Sequence, residues 1–208
     1  MLASMAFYRE QVLPRLRNRL LDLGDTREIR ARVCAGLRGE VIEIGFGSGL
    51  NLPFLPDDVR TLWAVEPSRV ARALSTRRRA DAPVPVVFAA DDAGALPFPD
   101  QRFDAALSTW TMCTLPDPVA ALREVRRVLK PGRTLHFVEH GASPDEPVAR
   151  WQDRATPLWH QLAGGCNLNR DVPGLLARAG FTVTTLETYY ERSAPKVLGH
   201  MYEGRAVA

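Results

Sequence analysis

The run Val41-Ile42-Glu43-Ile44-Gly45-Phe46-Gly47-Ser48-Gly49 carries an apolar segment into a loop with three glycines. Glycine tolerates positive φ and lets backbone amides come close to a ligand. Such a loop after a strand suits the binding of a nucleoside-containing group. The dinucleotide fingerprint requires glycine as the sixth residue of G-x-G-x-x-G. Counted from Gly45 that position is Leu50, and the following residues 50–55 are few and include Pro53. A long phosphate-facing helix is therefore not expected. Glu66 closes the apolar run TLWAVE, seventeen residues after Gly49. A carboxylate at the end of a second strand can accept from both ribose hydroxyls; alone, it could also be a helix-capping acid beside Ser68. Residues 88–104 read FAADDAGALPFPDQRFD. Here Asp92 can accept from an adenine amino group and the N–H of Ala93 can meet a ring nitrogen. Read by themselves, Asp91 and Asp92 could be plain loop acids.

For acid–base work the candidates are His140 and its neighbour Glu139, at the end of TLHFVEH. The carboxyl end of a fifth strand is where an open α/β sheet places its chemistry. The competing reading is a hydrogen bond that closes a loop. His136 reads as a packed residue, His160 as a pocket residue beside Trp159, and His200 as structural. Trp110, Met112, Trp151 and Trp159 could line an apolar acceptor pocket, although such side chains are more often core. Cys34, Cys113 and Cys166 are odd in number and far apart. They show neither metal-ligand spacing nor a disulfide framework, which fits a reducing cytoplasm. Neither Cys113 nor Cys166 has an activating partner nearby in sequence, so no metal and no cysteine nucleophile is expected.

These residues need a scaffold, and the periodicity supplies one. VIEIG at 41–45, TLWAVE at 61–66, VPVVFAA at 84–90, FDAALS at 103–108 and TLHFVEH at 134–140 are short apolar runs that read as buried strands. Helices are expected at 68–80 and 117–129, the second with Asp117 as N-cap and Pro118 at its first position. Residues 170–179 read as a helix stopped by Gly180. FTVTTLET at 181–188 and HMYEGRAVA at 200–208 alternate like an antiparallel pair. The fold expected is α/β, Rossmann-like and doubly wound, with a mostly parallel seven-stranded sheet and an antiparallel C-terminal strand pair. Ahead of it, residues 7–23 place Val12, Leu13, Leu16, Leu20 and Leu23 on one helical stripe, with Pro14 demanding a late start or a kink. A second helix is expected from Thr26, as a cap, to Leu37. Residues 141–169 show little clean periodicity and read as an insertion.

The 208 residues suffice for one domain. It divides into an N-terminal helical lid (1–38), a ligand-binding core (39–140), an acceptor-side insertion (141–169) and a C-terminal helix with the strand pair (170–208). The net charge of +3 is mild, and all but Lys130 and Lys196 of the 27 basic residues are arginine. Arg77-Arg78-Arg79 reads as a solvated helix end, where cations complement the dipole. No apolar run approaches the roughly 20 residues needed to span a bilayer, and no secretory leader is expected. Arg15, Arg17 and Arg19 leave peripheral contact with acidic lipid as an alternative to ordinary packing of the first helix.

Taken together, these motifs resemble those of the class I S-adenosylmethionine-dependent methyltransferases, including the ubiquinone/menaquinone methyltransferase group. VIEIGFGSG resembles their first motif, Glu66 their ribose acid, and DDAGALPFPDQRFD their D-A-x-x-L-P-F-x-D-x-x-F-D run. LREVRRVLKPGRTLHFVEH resembles their E-x-x-R-V-L-K-P-G-G stretch, with Arg133 in place of the second glycine. A narrower resemblance, to small thiol methyltransferases, rests on STWTMCTL (108–115), FVEHG (137–141), Trp151-Gln152, Pro157-x-Trp159, GGCNLNRD (164–171) and HMYEGRAVA. Some members of that family are membrane-anchored, and its eukaryotic members carry an apolar leader that this chain does not show. The resemblance implies S-adenosylmethionine as cofactor, S-adenosylhomocysteine as product and a small-molecule acceptor. It implies cofactor contacts from Glu43, Gly45, Phe46, Gly47, Gly49, Asn51, Glu66, Pro67, Asp92, Ala93, Ser108 and Thr109. His140 and Glu139 would then serve catalysis, and Trp110, Met112, Trp151, Trp159 and His160 the acceptor.

Alternatives remain at this point. C- or O-methylation of a quinone or natural product fits the same motifs. Nucleic acid is disfavoured as acceptor, since Ser108-Thr109-Trp110-Thr111 lacks the loop of base-directed amino methyltransferases and no basic domain is present. An NAD-dependent oxidoreductase is disfavoured by Leu50 and by the run after Asp92. A non-catalytic nucleoside-binding module would keep the same first motif.

Overall fold

The computed structural model describes residues 2–22, 24–192 and 194–208. Strand β1 (Gly39–Ile44) sets the architecture. Its residues Val41, Ile42, Glu43 and Ile44 are all buried, so both faces of this strand must be covered. β2 (Val59–Val65) and β4 (Phe103–Thr109) pair with it in parallel on either side. β3 (Val86–Ala90) continues outward from β2, and β5 (Leu129–His140) from β4. β7 (His200–Val207) then runs antiparallel between β5 and the edge strand β6 (Thr182–Tyr190). The seven-stranded order is β3-β2-β1-β4-β5-β7-β6. The expected fold and the antiparallel C-terminal pair are thus both present. The order reverses between β1 and β4, and at such a switch point a crevice opens at the carboxyl ends of the strands.

Helices cover both faces. Ile42 and Ile44 pack with Leu122 and Val125 of α6 (Pro118–Val128) and with Leu175 and Leu176 of α8 (Val172–Arg178). Val41 and Leu107 face the other layer, with Ile29 and Val33 of α3 (Thr26–Cys34). α6 starts as expected. The Asp117 carboxylate accepts from the Ala120 N–H at 2.9 Å, and Pro118 occupies the first turn, where no N–H is needed.

Several local expectations are corrected. The N-terminal helical run is broken into α1 (Leu2–Phe7), a π-helical turn (Tyr8–Val12) and α2 (Leu13–Leu20). The wide turn comes just before Pro14, which has no N–H for the ladder. Of the expected stripe only Leu13 is buried. Val12, Leu16 and Leu20 are 42%, 43% and 56% exposed, and Leu23 lies outside the described residues. α3 stops at Cys34 rather than Leu37, and Thr26 is not its cap: the Thr26 hydroxyl donates to the Leu21 carbonyl at 3.1 Å. The single helix expected at 68–80 divides at buried Ser75 into α4 (Arg69–Leu74) and α5 (Thr76–Ala80). Arg78 in the second piece is not merely solvated. It bonds Asn18, Asp22 and the Ser48 carbonyl, and so ties the N-terminal run to the glycine loop.

The segment read as an irregular insertion contains the helix α7 (Glu146–Leu162), which continues through Pro157. The buried residue of this helix is the polar Gln152, and its apolar residues sit along the edge of the covered face, so apolar period and burial do not coincide. Ala155 and Trp159 pack inward, while Trp151 and Leu158 are 65% and 63% exposed. A short helix, α9 (Lys196–Gly199), leads into β7. Among the described residues, no helix is long and apolar enough to cross a membrane.

The α6 cap is open to a direct test. Asp117→Ala is expected to cost about 1 kcal/mol of stability in urea denaturation, the usual scale for a lost N-cap. A loss indistinguishable from zero would show that Pro118 and burial of the helix suffice to start it.

Candidate active site

The crevice at the switch point is a cavity of about 640 Å³. The glycine loop forms its floor. Gly45 and Gly47 have φ of +70° and +61°, in the left-handed region that glycine occupies freely. A Cβ on Gly45 would lie 2.0 Å from Thr111 Oγ1, so the position has no room for a side chain. A Cβ on Gly47 would meet nothing closer than the Gly45 carbonyl, at 3.9 Å, and Gly47 lines the cavity. The open space at Gly47 is therefore left for a ligand. Instead of a long helix, a one-turn 3-10 helix follows at Leu52–Phe54, as the residues after Gly49 implied.

Glu66 stands where β2 ends. One carboxylate oxygen accepts from the Gly47 N–H and the other from the Ser68 N–H, both at 2.7 Å. Burial pushes its pKa up against these two bonds. Each oxygen keeps a lone pair for a diol on the cavity side. Ser68, not Glu66, caps α4, accepting from the Ala71 N–H. Asp92 and Ala93 also line the cavity, and Asp92 accepts from the Gly94 N–H at 2.8 Å.

Beneath the loop runs a buried chain of polar groups. Asn51 Nδ2 donates to Glu43 at 2.6 Å and to Thr109 Oγ1 at 3.0 Å. Arg30 donates to Asn51 Oδ1 at 2.6 Å, and its guanidinium lies 4.7 Å from the Trp110 ring centroid. Burial raises Glu43 to about 8 and lowers Arg30 to about 10. Glu43 Oε2 and Arg30 Nε are buried without partners.

The side of the cavity beyond β4 is organised by Glu139. It accepts from Ser108 Oγ at 2.7 Å, Thr111 N at 2.9 Å and Met112 N at 3.0 Å. Burial nevertheless raises it to about 7. The clamp holds Trp110 at φ +48°, a conformation that costs a non-glycine residue energy and persists only when its surroundings impose it. The far wall comes from the N-terminal run and the end of α7: Arg9, Leu13, Arg17, His160 and Gly165. Arg17 donates to the Ala163 carbonyl at 2.5 Å and Arg9 to the Gln161 carbonyl at 3.2 Å, joining the two segments.

Of the residues proposed from sequence, Gly45, Phe46, Gly47, Glu66, Pro67, Asp92, Ala93, Thr109, Trp110 and His160 line the cavity. Glu43, Asn51 and Ser108 lie behind this lining as buried hydrogen-bond partners, and Gly49 packs against Phe46 and Leu52. Met112 belongs to the core, and Trp151 is at the surface. Trp159 packs beside Cys166. Glu139 and His140 stand behind the lining: His140 Nε2 faces Cys166 Sγ at 3.0 Å. The expectation that Cys166 lacks an activating partner is thus overturned. Cys113 and His140 hold its thiol far below the ordinary cysteine range. Burial opposes a charge on His140, but the adjacent sulfur raises its pKa on balance. Arg30 was missed. In TREIRARVC it looks like Arg27 and Arg32, and only its place beside the buried Ile29 on α3 hints at an inward position.

Comparison with known proteins agrees with this fold. A family described as a methyltransferase domain matches residues 42–137. Human thiol S-methyltransferase TMT1B is 31% identical over 184 residues, covering 83% of this chain and 72% of that protein. The demethylmenaquinone methyltransferase of Roseiflexus sp. (strain RS-1) is 34% identical over 162 residues, covering 71% of this chain and 65% of its own. The solved structure of a SAM-dependent methyltransferase from Thermotoga maritima superposes with a TM-score of 0.68 at 21% identity, covering 97% of this chain and 98% of that one. The parallel sheet, glycine loop and strand-end carboxylate define a class I nucleoside-binding methyltransferase fold. The chain is an S-adenosylmethionine-dependent methyltransferase and belongs to the family that includes TMT1B.

The open cradle at Gly47 and the carboxylates of Glu66 and Asp92 fit S-adenosylmethionine. Asp92→Ala is expected to weaken S-adenosylhomocysteine binding by about 1–3 kcal/mol in calorimetry, the scale of a lost charged hydrogen bond. An unchanged affinity would move the adenine contact elsewhere. The buried acids also predict a pH dependence. Glu43 and Glu139 bind protons more tightly folded than unfolded, so folding takes up protons between about pH 4.5 and their raised values of about 8 and about 7. Their contribution to stability is present at the acid end of that window and is lost as pH rises through it. The urea midpoint is expected to fall from about pH 5.5 to about pH 8, and less steeply in Glu43→Gln. An identical slope in that variant would mean that Glu43 is ionised throughout.

Proposed function

We propose that the methyl acceptor is a small thiol and that His160 is the group that takes its proton. The observation that carries this reading is the two-ended cavity. Glu66, Asp92 and the glycine loop occupy one end. Leu13, Trp110, Leu115 and Pro116 make the other apolar, and His160 is the histidine among its described lining residues. Bound at the first end, S-adenosylmethionine supplies an electrophilic methyl group on its sulfonium. The chain's part is to position and to dry the site. Trp110 and Leu13 desolvate the acceptor, and the backbone clamp from Glu139 fixes the wall that orients it. A thiol reacts as thiolate, so a base within reach of the sulfur raises the reactive fraction. The name of the TMT1B relative supports the same acceptor class.

In this reading the chain works as one domain, with residues 1–38 as a lid over the cavity and residues 39–140 as the cofactor core. Segments 141–169 and 170–208 complete the acceptor side and the sheet. Three free cysteines suit a reducing compartment such as the cytoplasm. A second reading, methylation of a quinol carbon or oxygen, is favoured by the demethylmenaquinone methyltransferase relative.

The test is transfer of labelled methyl from S-adenosylmethionine to alkyl and aryl thiols, with quinols and phenols in parallel. Transfer to thiols is expected. Transfer to quinols alone would establish the second reading. His160→Ala is expected to lower kcat about 10- to 100-fold at neutral pH and to leave S-adenosylhomocysteine affinity unchanged. The loss should shrink for acidic aryl thiols, which ionise unaided. An equal loss for every thiol would assign His160 to acceptor positioning.

A further inference from the structure

Cys113 in the loop after β4, His140 at the end of β5 and Cys166 in the loop between α7 and α8 meet in space. Their ligand atoms all lie within 4.8 Å of one another. Among the described residues, this is the group of three Cys, His, Asp or Glu side chains close enough to share an ion. We infer that Cys113, His140 and Cys166 form a zinc site, which pins together the three segments behind the acceptor wall.

The donor set selects the metal. Two sulfurs and an imidazole are soft to borderline ligands, suited to zinc or monovalent copper and unsuited to magnesium or calcium. The surroundings choose between the first two. Cys113 and Cys166 pack in an apolar cluster with Leu168, Trp159, Val197 and Leu198. Two thiolates and a neutral imidazole neutralise a divalent ion completely but leave a net negative charge around a monovalent one. An apolar shell penalises that uncompensated charge.

The geometry is close to what zinc needs. Tetrahedral zinc–sulfur and zinc–nitrogen bonds hold neighbouring ligand atoms roughly 3.5–3.8 Å apart. The His140 Nε2 to Cys166 Sγ distance of 3.0 Å must open by about half an ångström, and the other two separations are within 4.8 Å. The supporting backbone is fixed independently of any ion. The Cys113 carbonyl accepts from Asn167 N at 2.9 Å and Asn167 Nδ2 at 3.1 Å. Gln152 Nε2 donates to the Gly141 carbonyl beside His140 at 3.0 Å. Trp159 Nε1 donates to Cys166 Sγ at 3.3 Å, the kind of outer hydrogen bond that orients a metal-bound thiolate. His140 Nδ1 is buried without a partner, so the protein holds this ring through Nε2 alone. Three protein ligands leave a fourth position for water, as in open zinc sites. Thr114 and Gly165, the chain neighbours of Cys113 and Cys166, line the cavity, so order at the ion would be transmitted to the acceptor end.

The experiment is metal analysis of the full chain purified under reducing conditions, followed by anaerobic titration of the zinc-free protein with Co²⁺. One zinc per chain is expected, as are the near-ultraviolet thiolate-to-cobalt band and the visible bands of tetrahedral cobalt. Cys166→Ser and His140→Gln should lose zinc affinity at least about 10-fold, and Cys34→Ser should retain it. The wild-type titration stands even where a variant fails to fold. Folded, reduced wild-type protein that binds neither ion would overturn the inference. So would cobalt bands that persist in Cys166→Ser, or recovery of Cys113 and Cys166 as a disulfide from the reducing preparation.

Discussion

Three glutamates at the carboxyl ends of strands hold the crevice open. Glu43 in β1 bonds Asn51, Glu66 after β2 takes the amides of Gly47 and Ser68, and Glu139 in β5 takes two amides and the Ser108 hydroxyl. Glu66 and Glu139 thereby satisfy backbone donors of loops at the edge of a buried sheet, and Glu43 holds the loop after Gly49 through the Asn51 side chain. The glycine loop, the turn at Trp110 and the start of α4 all take their shape from these bonds. The cavity is what remains between them.

Such an arrangement has an energetic cost. A carboxyl group taken out of water resists ionisation, and all three glutamates titrate above the ordinary range. Hydrogen bonds recover part of that cost, but Glu43 and Arg30 each keep a buried atom without a partner. Polar groups held this way in a crevice are typical of sites built for binding and catalysis. The strain at Trp110 belongs to the same pattern, since a packed core alone gives no reason to force a tryptophan to positive φ.

The two ends of the cavity differ in construction. The cofactor end comes from consecutive strand ends of the parallel sheet, so one stretch of about a hundred residues contains it. The end proposed for the acceptor is assembled from the π-helical turn and α2, the turn after β4, and the end of α7 with the loop behind it, which meet through Arg9, Arg17 and Asn167.

The sequence by itself determined the strands of the sheet and the glycine loop at one end of the cavity. Apolar runs of period two or of continuous burial, the glycine triplet, Asp117-Pro118 and the acid after TLWAVE are local signals, and each acts within a few residues of where it is written. The doubly wound fold, the antiparallel C-terminal pair and the short turn after Gly49 followed from them, while the strand order came from pairing between distant segments. What only the tertiary structure decided depends on contacts between distant segments. The apolar stripe of the N-terminal run proved mostly exposed: among its described residues only Leu13 is buried, with Gly164 beside it. Arg30 turned inward because Asn51 and Trp110 wait for it on other elements. His140 left the cavity for two cysteines, each about 26 residues away along the chain. No spacing rule joins such groups, since side chains from one strand end and two loops are brought together by packing of the layers and not by the period of any one element.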